Sequence, residues 1–327
     1  DVPVLQRCLQ ELVMRHESLR TTFSESDGVP QQHVASRLEL NVPVINLAER
    51  RPDEREREAR RLAREETNSG FDLSNGPLIR AQVVQLAEDD HVVLLTLHHI
   101  ISDGWSSGVM VREMAILYDA FSQGESSPLP ELNIQYADFA AWQREYLAGD
   151  VLNQQLAYWK EQLTDAPVLE YPLDHPRPAD ESFRGDSELL EIPADKAAQL
   201  AALSEQNGAT LFMTLLAAFK TVLWHTTGES DIVVGTDSAN RNRAETESIV
   251  GFFINQLVIR NELSGNPTFR ELLSRTRDAT LGAYAHEDLP YNKLVEELRS
   301  QNAASPSALF RAKFEFQHVP RLGSQLG

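Results

Sequence analysis

The chain has 327 residues, 42% hydrophobic and 24% charged, which is typical of a globular protein large enough for two lobes of roughly 150 residues each. Its 30 basic and 49 acidic residues give a net charge of −19, which disfavours nucleic acid and anionic membranes as partners. No run of about 20 apolar residues predicts a membrane helix. The single cysteine, Cys8, excludes an internal disulfide framework, suits a reducing cytoplasm and is expected in the core.

The first half of the sequence predicts helices and strands in alternation. Leu5, Leu9 and Leu12 form one apolar stripe of a helix over residues 2–14. The other elements expected in this half are strands at 19–23, 79–86 and 91–97 and helices at 53–66, 104–121, 135–147 and 152–163. The charged helix at 53–66 is interpreted as a solvated face. The alternative is that it binds an acidic partner through its arginines, which are Arg55, Arg57, Arg60, Arg61 and Arg64.

A proline-rich stretch over residues 167–178 predicts an extended connector, and the second half of the chain begins there. The elements predicted beyond it are strands at 187–192, 231–234, 256–261 and 312–316 and helices at 195–206, 211–223, 269–284 and 291–298. Both halves mix strands with helices in a similar rhythm. The pattern indicates two α/β lobes with a cleft between them, which is a common place for a site.

Two adjacent histidines, His98 and His99, stand at the end of a strand predicted over residues 92–99. Because side chains alternate between the two faces of a strand, only one of the pair is expected to face a cavity. Histidine suits a base near pH 7. Asp103 lies four residues on, where a buried carboxylate orients an imidazole or pairs with an arginine, and Gly104 allows a tight backbone turn.

Other chemistries for this run are disfavoured by spacing. Ser102 is too close along the chain to serve as a triad nucleophile for these histidines. Adjacent histidines lack the i,i+4 spacing of a helical zinc motif, so no metal is expected. From the residues alone, a catalytic and a structural interpretation of the histidine pair both remain open.

The run from His98 to Gly104 resembles the HHxxxDG signature of condensation domains of nonribosomal peptide synthetases, a signature shared with a wider acyltransferase superfamily. Four further segments resemble motifs of the same family in the family's order: residues 15–23 (RHExLRTxF), 136–142 (YxDFAxW), 250–255 (GxFVN) and 286–291 (HQDxPF). The chain departs from the family where Gln256 replaces Thr, Glu287 replaces Gln, and residues 305–310 lack an arginine-rich motif.

The resemblance implies an α/β fold of two chloramphenicol-acetyltransferase-like lobes in a V-shaped pseudo-dimer, with the active-site channel between them. The first lobe is expected over residues 1–175, with the HHxxxDG motif and without its first strand. The second is expected over residues 176–327, without its C-terminal part. The implied activity joins a donor aminoacyl or peptidyl thioester to an acceptor aminoacyl thioester through a peptide bond.

The resemblance also implies how the substrates arrive. No cofactor or metal is bound directly, because both substrates are carried on the 4′-phosphopantetheine of carrier proteins. The expected partners are an upstream donor and a downstream acceptor peptidyl carrier protein domain and an adjacent adenylation domain. The expected location is the cytoplasm, with no nucleic acid or membrane as partner.

The resemblance makes His99 the catalytic histidine, as a base or as a group that orients the amine, with His98 as its packed partner. Asp103 is expected to be structural, held by an arginine, with Arg20 or Arg15 as candidate partner. Gly104 is expected to keep the channel open, and Trp105, Ser106 and Asn255 are expected to line or support it. The aromatic residues Trp105, Tyr136 and Trp142 are expected to belong to the core rather than to the site. His16 and His286 are expected to be structural. Asn255 either bonds a backbone across the cleft or caps a turn.

Alternatives within and outside the family remain. An epimerisation domain is disfavoured, because it has Val-Ser-Trp after the Asp-Gly where this chain has Trp-Ser, and a heterocyclisation domain is excluded by the intact histidines. A modified condensation subtype stays open, partly because of Gln256. The non-enzymatic alternative is a module that recruits a carrier domain or a tailoring enzyme, although such relatives tend to lose the second histidine. A free-standing acyltransferase that uses a coenzyme A thioester is the third alternative.

Overall fold

The structure, a computed structural model, describes residues 1–175, 185–301 and 309–317. By its contacts the chain divides into two compact units. Unit 1 consists of residues 1–146 together with 241–254, and unit 2 consists of residues 147–240 together with the chain from 255 onward. The lobe boundary expected at 175/176 stays a prediction, because residue 176 lies outside the described ranges, and so do Pro176 and Pro178 of the expected connector.

Unit 1 contains four helices, five strands and three short 3₁₀ turns among its described residues. Its elements are α1 (Val2–Arg15), β1 (Thr21–Ser26), β2 (Val29–Val34), β3 (Val44–Asn46), α2 (Pro52–Asn68), β4 (Ile79–Gln85), β5 (His91–Leu97), α3 (Gly104–Ser122) and α4 (Tyr136–Tyr146), with turns at Glu17–Arg20, His99–Ile101 and Ala244–Thr246. Strands β1 and β2 pair antiparallel, and β4 lies between a parallel β3 and an antiparallel β5. The strand predicted at residue 19 begins at Thr21, because Leu19 belongs to the preceding turn and is buried.

The core of unit 1 forms where α1 packs on α3. Asp1 caps α1 by accepting a hydrogen bond from the Val4 amide. The apolar stripe predicted for this helix is confirmed, since Leu9 and Leu12 are buried together with Cys8. Each such leucine contributes about 1.5–3 kcal/mol through its burial. Helix α2 buries no residue, and Arg57, Arg60 and Arg61 pair with acids of the same helix, as expected of a solvated face. Arg55 instead donates to the Leu86 carbonyl.

Unit 2 packs five helices around an antiparallel strand pair in its described part. The elements are α5 (Gly149–Leu163), α6 (Ala194–Gln206), α7 (Leu211–Thr227), β6 (Asp231–Ser238), β7 (Asn255–Glu262), α8 (Phe269–Tyr284) and α9 (Tyr291–Gln301). The register of β6 and β7 runs from Asp231 opposite Glu262 to Ser238 opposite Asn255. Capping residues Thr210 and Thr268 begin α7 and α8, and Gly228 ends α7 in the left-handed conformation.

Two predicted strands of unit 2 are wrong or reduced. Residues 185–193 have no regular secondary structure, and the Leu189 and Leu190 side chains are 97% and 86% exposed. The two consecutive leucines break the alternation of a half-buried strand, and no described strand pairs with this segment. The strand expected at 312–316 is reduced to one parallel bridge between Gly235 and Lys313.

Lys220 of α7 is fully buried in unit 2. Its Nζ donates to the Ile259 carbonyl at 2.7 Å and to Asn261 Oδ1 at 2.6 Å. Burial holds the pKa of Lys220 well below its ordinary value, because the charged ammonium loses its hydration.

No single helix of the described chain has the length and apolar character needed to cross a membrane. Only the adjacent helices α6 and α7, taken together, meet that criterion, and the chain bends by 104° between them.

Candidate active site

The histidine pair lies beyond the end of β5. The strand ends at Leu97, and the His98 amide still donates to the Leu78 carbonyl at 2.9 Å. His99 then begins the 3₁₀ turn, which the His98 side chain caps as its Nδ1 accepts from the Ile100 amide at 3.0 Å. The alternation argument therefore does not apply to these two residues. The chain nevertheless leaves His98 half-buried and His99 exposed.

His98 is a capping and packing residue. An Nδ1 that accepts a hydrogen bond carries no proton, so the cap uses the neutral tautomer with its proton on Nε2. The ring also meets the ring of Phe71 edge to face, with 5.8 Å between centroids. Arg80 covers Phe71, with its guanidinium 3.8 Å from the ring centroid. These contacts hold His98 and, through the cap, the turn that carries His99.

His99 presents a free imidazole. In the part of the chain that the structure describes, its ring nitrogens form no hydrogen bond. The ring meets the ring of Phe252 edge to face, with centroids 5.1 Å apart and planes at 85°. An exposed imidazole with an unoccupied ring nitrogen is able to accept a proton from a nearby amine or to hold that amine by a hydrogen bond.

Asp103 is a buried scaffold carboxylate. It caps α3 by accepting from the Ser106 amide at 2.8 Å, and its other oxygen accepts from the Phe253 amide at 3.0 Å. Arg241 Nη2 lies 3.2 Å from Oδ1, and the two side chains are 0% and 1% exposed. No hydrogen bond joins Asp103 to His99 within the described ranges. The carboxylate therefore ties the first turn of α3 to the segment 241–254.

Arg241 anchors that segment from the other side. Its Nη1 donates to the Thr246 carbonyl and, at 2.8 Å, to the Ile249 carbonyl, and its guanidinium lies 4.0 Å from the Phe253 ring centroid. Burial lowers the pKa of Arg241, and the charge of Asp103 opposes that shift. Nothing in the sequence around residue 241 singled out this arginine.

The arginines expected to pair with Asp103 pair elsewhere, so that expectation is wrong. Arg15 Nε lies 3.1 Å from Glu113 Oε1, and Arg20 contacts Glu17 and the Ala35 carbonyl. Arg15 thereby joins the end of α1 to α3, whereas Arg20 contacts residues near its own turn.

His16 is structural, as expected from its place at the end of α1. The ring is buried, with Nε2 2.8 Å from Glu113 Oε2, and Nδ1 accepts from the Val250 amide at 3.4 Å. Burial favours the neutral acid at Glu113, but the hydrogen bonds from His16 and Arg15 and the charge of Arg15 outweigh it and lower the pKa of Glu113.

Ser106, Tyr136 and Gly251 complete the attachment of the segment. Ser106 Oγ accepts from the Gly251 amide at 3.1 Å and lies 2.9 Å from the Gly251 carbonyl. Tyr136 Oη donates to the Phe252 carbonyl at 2.8 Å, and burial raises the pKa of Tyr136 to about 12. A Cβ at Gly251 would lie 2.3 Å from Tyr136 Cδ2, so only glycine fits there.

Trp105 is 45% exposed, and the expectation that it is a core residue is wrong. Its Nε1 donates to the Glu247 carbonyl at 2.9 Å, which again fastens the segment 241–254. A Cβ at Gly104 would meet nothing within 4 Å, so the packing of unit 1 does not require glycine there. Tyr136 and Trp142 are half-buried.

Two residues considered in the sequence lie in unit 2, Asn255 as a site candidate and His286 as a structural histidine. Asn255 Nδ2 donates to the Glu287 and Leu289 carbonyls at 2.6 and 2.8 Å, and its Oδ1 accepts from the Tyr291 amide at 3.0 Å. It thus bonds the backbone at the start of α9. His286 stacks on Tyr158 with centroids 3.8 Å apart. In the described residues no group of three or more His, Cys, Asp or Glu side chains is placed to hold a metal ion.

The comparisons with known proteins agree on one family. The Condensation domain model matches residues 1–325. One polypeptide of the linear gramicidin synthase of Brevibacillus parabrevis is 50% identical over 321 residues, which is 98% of this chain but 4% of that protein. Malpinin synthetase of Mortierella alpina is 45% identical over 315 residues, which is 96% of this chain and again 4% of that protein. The chain therefore spans a small part of the length of such relatives.

Solved structures show the same α/β fold. The X-domain from teicoplanin biosynthesis, also solved in complex with OxyB, is 29% identical with a TM-score of 0.85, over 96% of this chain and 69% of that one. The condensation domain of the monacolin K polyketide synthase MokA is 26% identical with a TM-score of 0.81, over 96% of this chain and 72% of that one. The chain belongs to the condensation-domain family of nonribosomal peptide synthetases.

Proposed function

We propose that this chain catalyses peptide-bond formation between a donor aminoacyl or peptidyl thioester and the amine of an acceptor aminoacyl thioester. The observation that carries the proposal is the exposed His99 imidazole, which has no hydrogen-bond partner in the described ranges and stands on a turn held from both sides. The acceptor amine attacks the thioester carbonyl, the new C–N bond forms, and the C–S bond breaks to release the donor's thiol.

His99 acts at the amine in this proposal. Its free ring nitrogen accepts the proton that the nitrogen loses as the C–N bond forms, or holds the amine toward the carbonyl by a hydrogen bond. Positioned proton transfer of this kind contributes about 10²–10⁴-fold to a rate. Asp103 does not share this step, because its oxygens are taken up by Ser106, Arg241 and Phe253.

Both substrates arrive on the 4′-phosphopantetheine of peptidyl carrier proteins in this proposal, and no cofactor is bound directly. The partners are an upstream donor carrier, a downstream acceptor carrier and an adjacent adenylation domain. The support is that relatives 45–50% identical to this chain are large synthetases of which it spans 4%.

The test is single-turnover product formation by the full-length protein with loaded donor and acceptor carriers. His99→Ala is expected to lower the rate at least 100-fold while circular dichroism stays native. His33→Ala is the matched control, because His33 is an exposed histidine of unit 1 whose side chain hydrogen-bonds only Ser24 in the described ranges. An unchanged rate in His99→Ala would contradict the proposal, and transfer from coenzyme A thioesters without a carrier would indicate a free-standing acyltransferase.

A second candidate function is recruitment of another protein without acyl transfer. The similarity to the X-domain, which has been solved in complex with OxyB, favours it. The free imidazole of His99 favours catalysis instead. Carrier binding with no product from any loaded pair, in the native protein as in His99→Ala, would select recruitment.

A further inference from the structure

The imidazole of His99 lacks the polar partner that usually orients a histidine base. Asp103 is the nearest carboxylate along the chain, and it is occupied by Ser106, Phe253 and Arg241. Since no hydrogen bond to the His99 ring occurs in the described ranges, its orientation depends on packing contacts. The contact that the structure provides is the edge-to-face packing on Phe252.

The backbone around Phe252 is fixed at three consecutive residues. Gly251 is bonded through its amide to Ser106, the Phe252 carbonyl accepts from Tyr136, and the Phe253 amide donates to Asp103. Gly251 and Phe253 are buried, whereas the Phe252 side chain is 37% exposed. The network therefore holds the main chain still and leaves one side chain directed toward His99.

We propose that Phe252 is a positioning residue for His99. An aromatic edge-to-face contact restricts the tilt of the imidazole without a hydrogen bond to a ring nitrogen, so the unprotonated nitrogen of the neutral ring stays available for the acceptor amine. A carboxylate in the same place would occupy one nitrogen and add a negative charge. This inference rests on the proposed function of His99. It implies that the hydrogen bonds of Asp103, Ser106 and Tyr136 to residues 251–253 serve to position Phe252.

The kinetic test compares variants at position 252 in the full-length protein with loaded carriers. Aromatic pairs contribute an amount that corresponds to about a 2- to 10-fold rate effect, so Phe252→Ala is expected to lower kcat by that factor with KM for the acceptor carrier unchanged. Phe252→Tyr keeps the ring and should restore kcat, whereas Phe252→Leu keeps apolar volume without a ring and should not. Phe269→Ala is the control, because Phe269 is equally exposed, at 37%, and lies in unit 2.

Two kinetic results would overturn the inference. One is a native kcat in Phe252→Ala while His99→Ala is inactive, which leaves the proposed function standing. The other is a change in KM alone, which would make Phe252 a substrate contact. A structural readout is independent of catalysis: selectively labelled protein should show a nuclear Overhauser effect between the His99 and Phe252 rings, and the His99 ring signals should move toward those of a freely rotating histidine in Phe252→Ala. Absence of that effect would refute the positioning contact whatever the activity of His99→Ala, so this readout is separate from the test of the proposed function.

Discussion

Replacing Arg241 by methionine should destabilise unit 1 by about 3–5 kcal/mol, the cost of leaving a buried charge without its partner. The Asp103 and Arg241 side chains are 0% and 1% exposed, so water cannot replace the lost guanidinium. Asp103 would keep its donors from Ser106 and Phe253. The Thr246 and Ile249 carbonyls would lose the hydrogen bonds that Arg241 Nη1 donates to them, and this loss also destabilises unit 1.

Hydrogen exchange measured by mass spectrometry is the suitable assay, because it reports the opening of each segment without assuming that both units unfold together. Peptides that cover residues 249–254 and the first turn of α3 should exchange roughly 100- to 5000-fold faster, while peptides of unit 2 serve as the internal reference. Arg243→Met is the control. Arg243 is exposed and packs on the Trp142 ring at 4.0 Å, so its loss should cost about 1 kcal/mol or less.

The double variant Asp103→Asn with Arg241→Met separates charge from packing. It removes both charges, so its cost should fall short of the sum of the single variants by at least about 1 kcal/mol. A change under about 1 kcal/mol in Arg241→Met, or strict additivity in the double variant, would refute the view that this pair holds the segment 241–254.

Two further outcomes follow from buried or capping groups. His98→Ala removes the acceptor that caps the turn of His99, whereas His98→Asn retains an acceptor. The rate of peptide-bond formation with loaded carriers should therefore fall further in the alanine variant than in the asparagine variant. Equal rates in the two variants would show that the cap is irrelevant. Because the folded pKa of Lys220 is depressed, the unfolded chain binds the extra proton below about pH 10, and the free energy of unfolding rises with pH by up to about 1.4 kcal/mol per unit. Urea unfolding from about pH 8 to about pH 10 should therefore show a shallower rise in Lys220→Met, and parallel curves would contradict a neutral buried amine.

Local periodicity was enough to predict most of the helices. The stripe of Leu5, Leu9 and Leu12 lies within α1, and residues 269–284 form α8 with the predicted bounds. These elements depend on neighbours three and four residues apart, which the sequence displays directly. The strand prediction for residues 187–192 was wrong because a strand needs a neighbouring strand to pair with, and the tertiary fold decides whether one is present. The two adjacent leucines in the sequence do not show whether such a neighbour exists.

The candidate site was predictable in its residues but not in its connections. Similarity of short motifs selected His99 and Asp103, and the structure leaves His99 free and Asp103 buried. The partner of Asp103 stands 138 positions away in an irregular segment, where no periodicity points to it. The contact between Phe252 and His99 was likewise not predictable, because it depends on which side chain of the segment 241–254 packs against the turn that carries His99.

The segment 241–254 belongs to unit 1 although β6 and β7, which flank it, belong to unit 2. During synthesis, residues 1–146 therefore leave the ribosome without the arginine that neutralises Asp103 and without Phe252. Residues 147–240 must be translated first, which takes roughly 5–20 s at ordinary elongation rates. The turn that carries His99 thus gains these contacts only after residues 241–254 have been translated, and an exchange of unit 1 between synthetases must carry residues 241–254 along with residues 1–146.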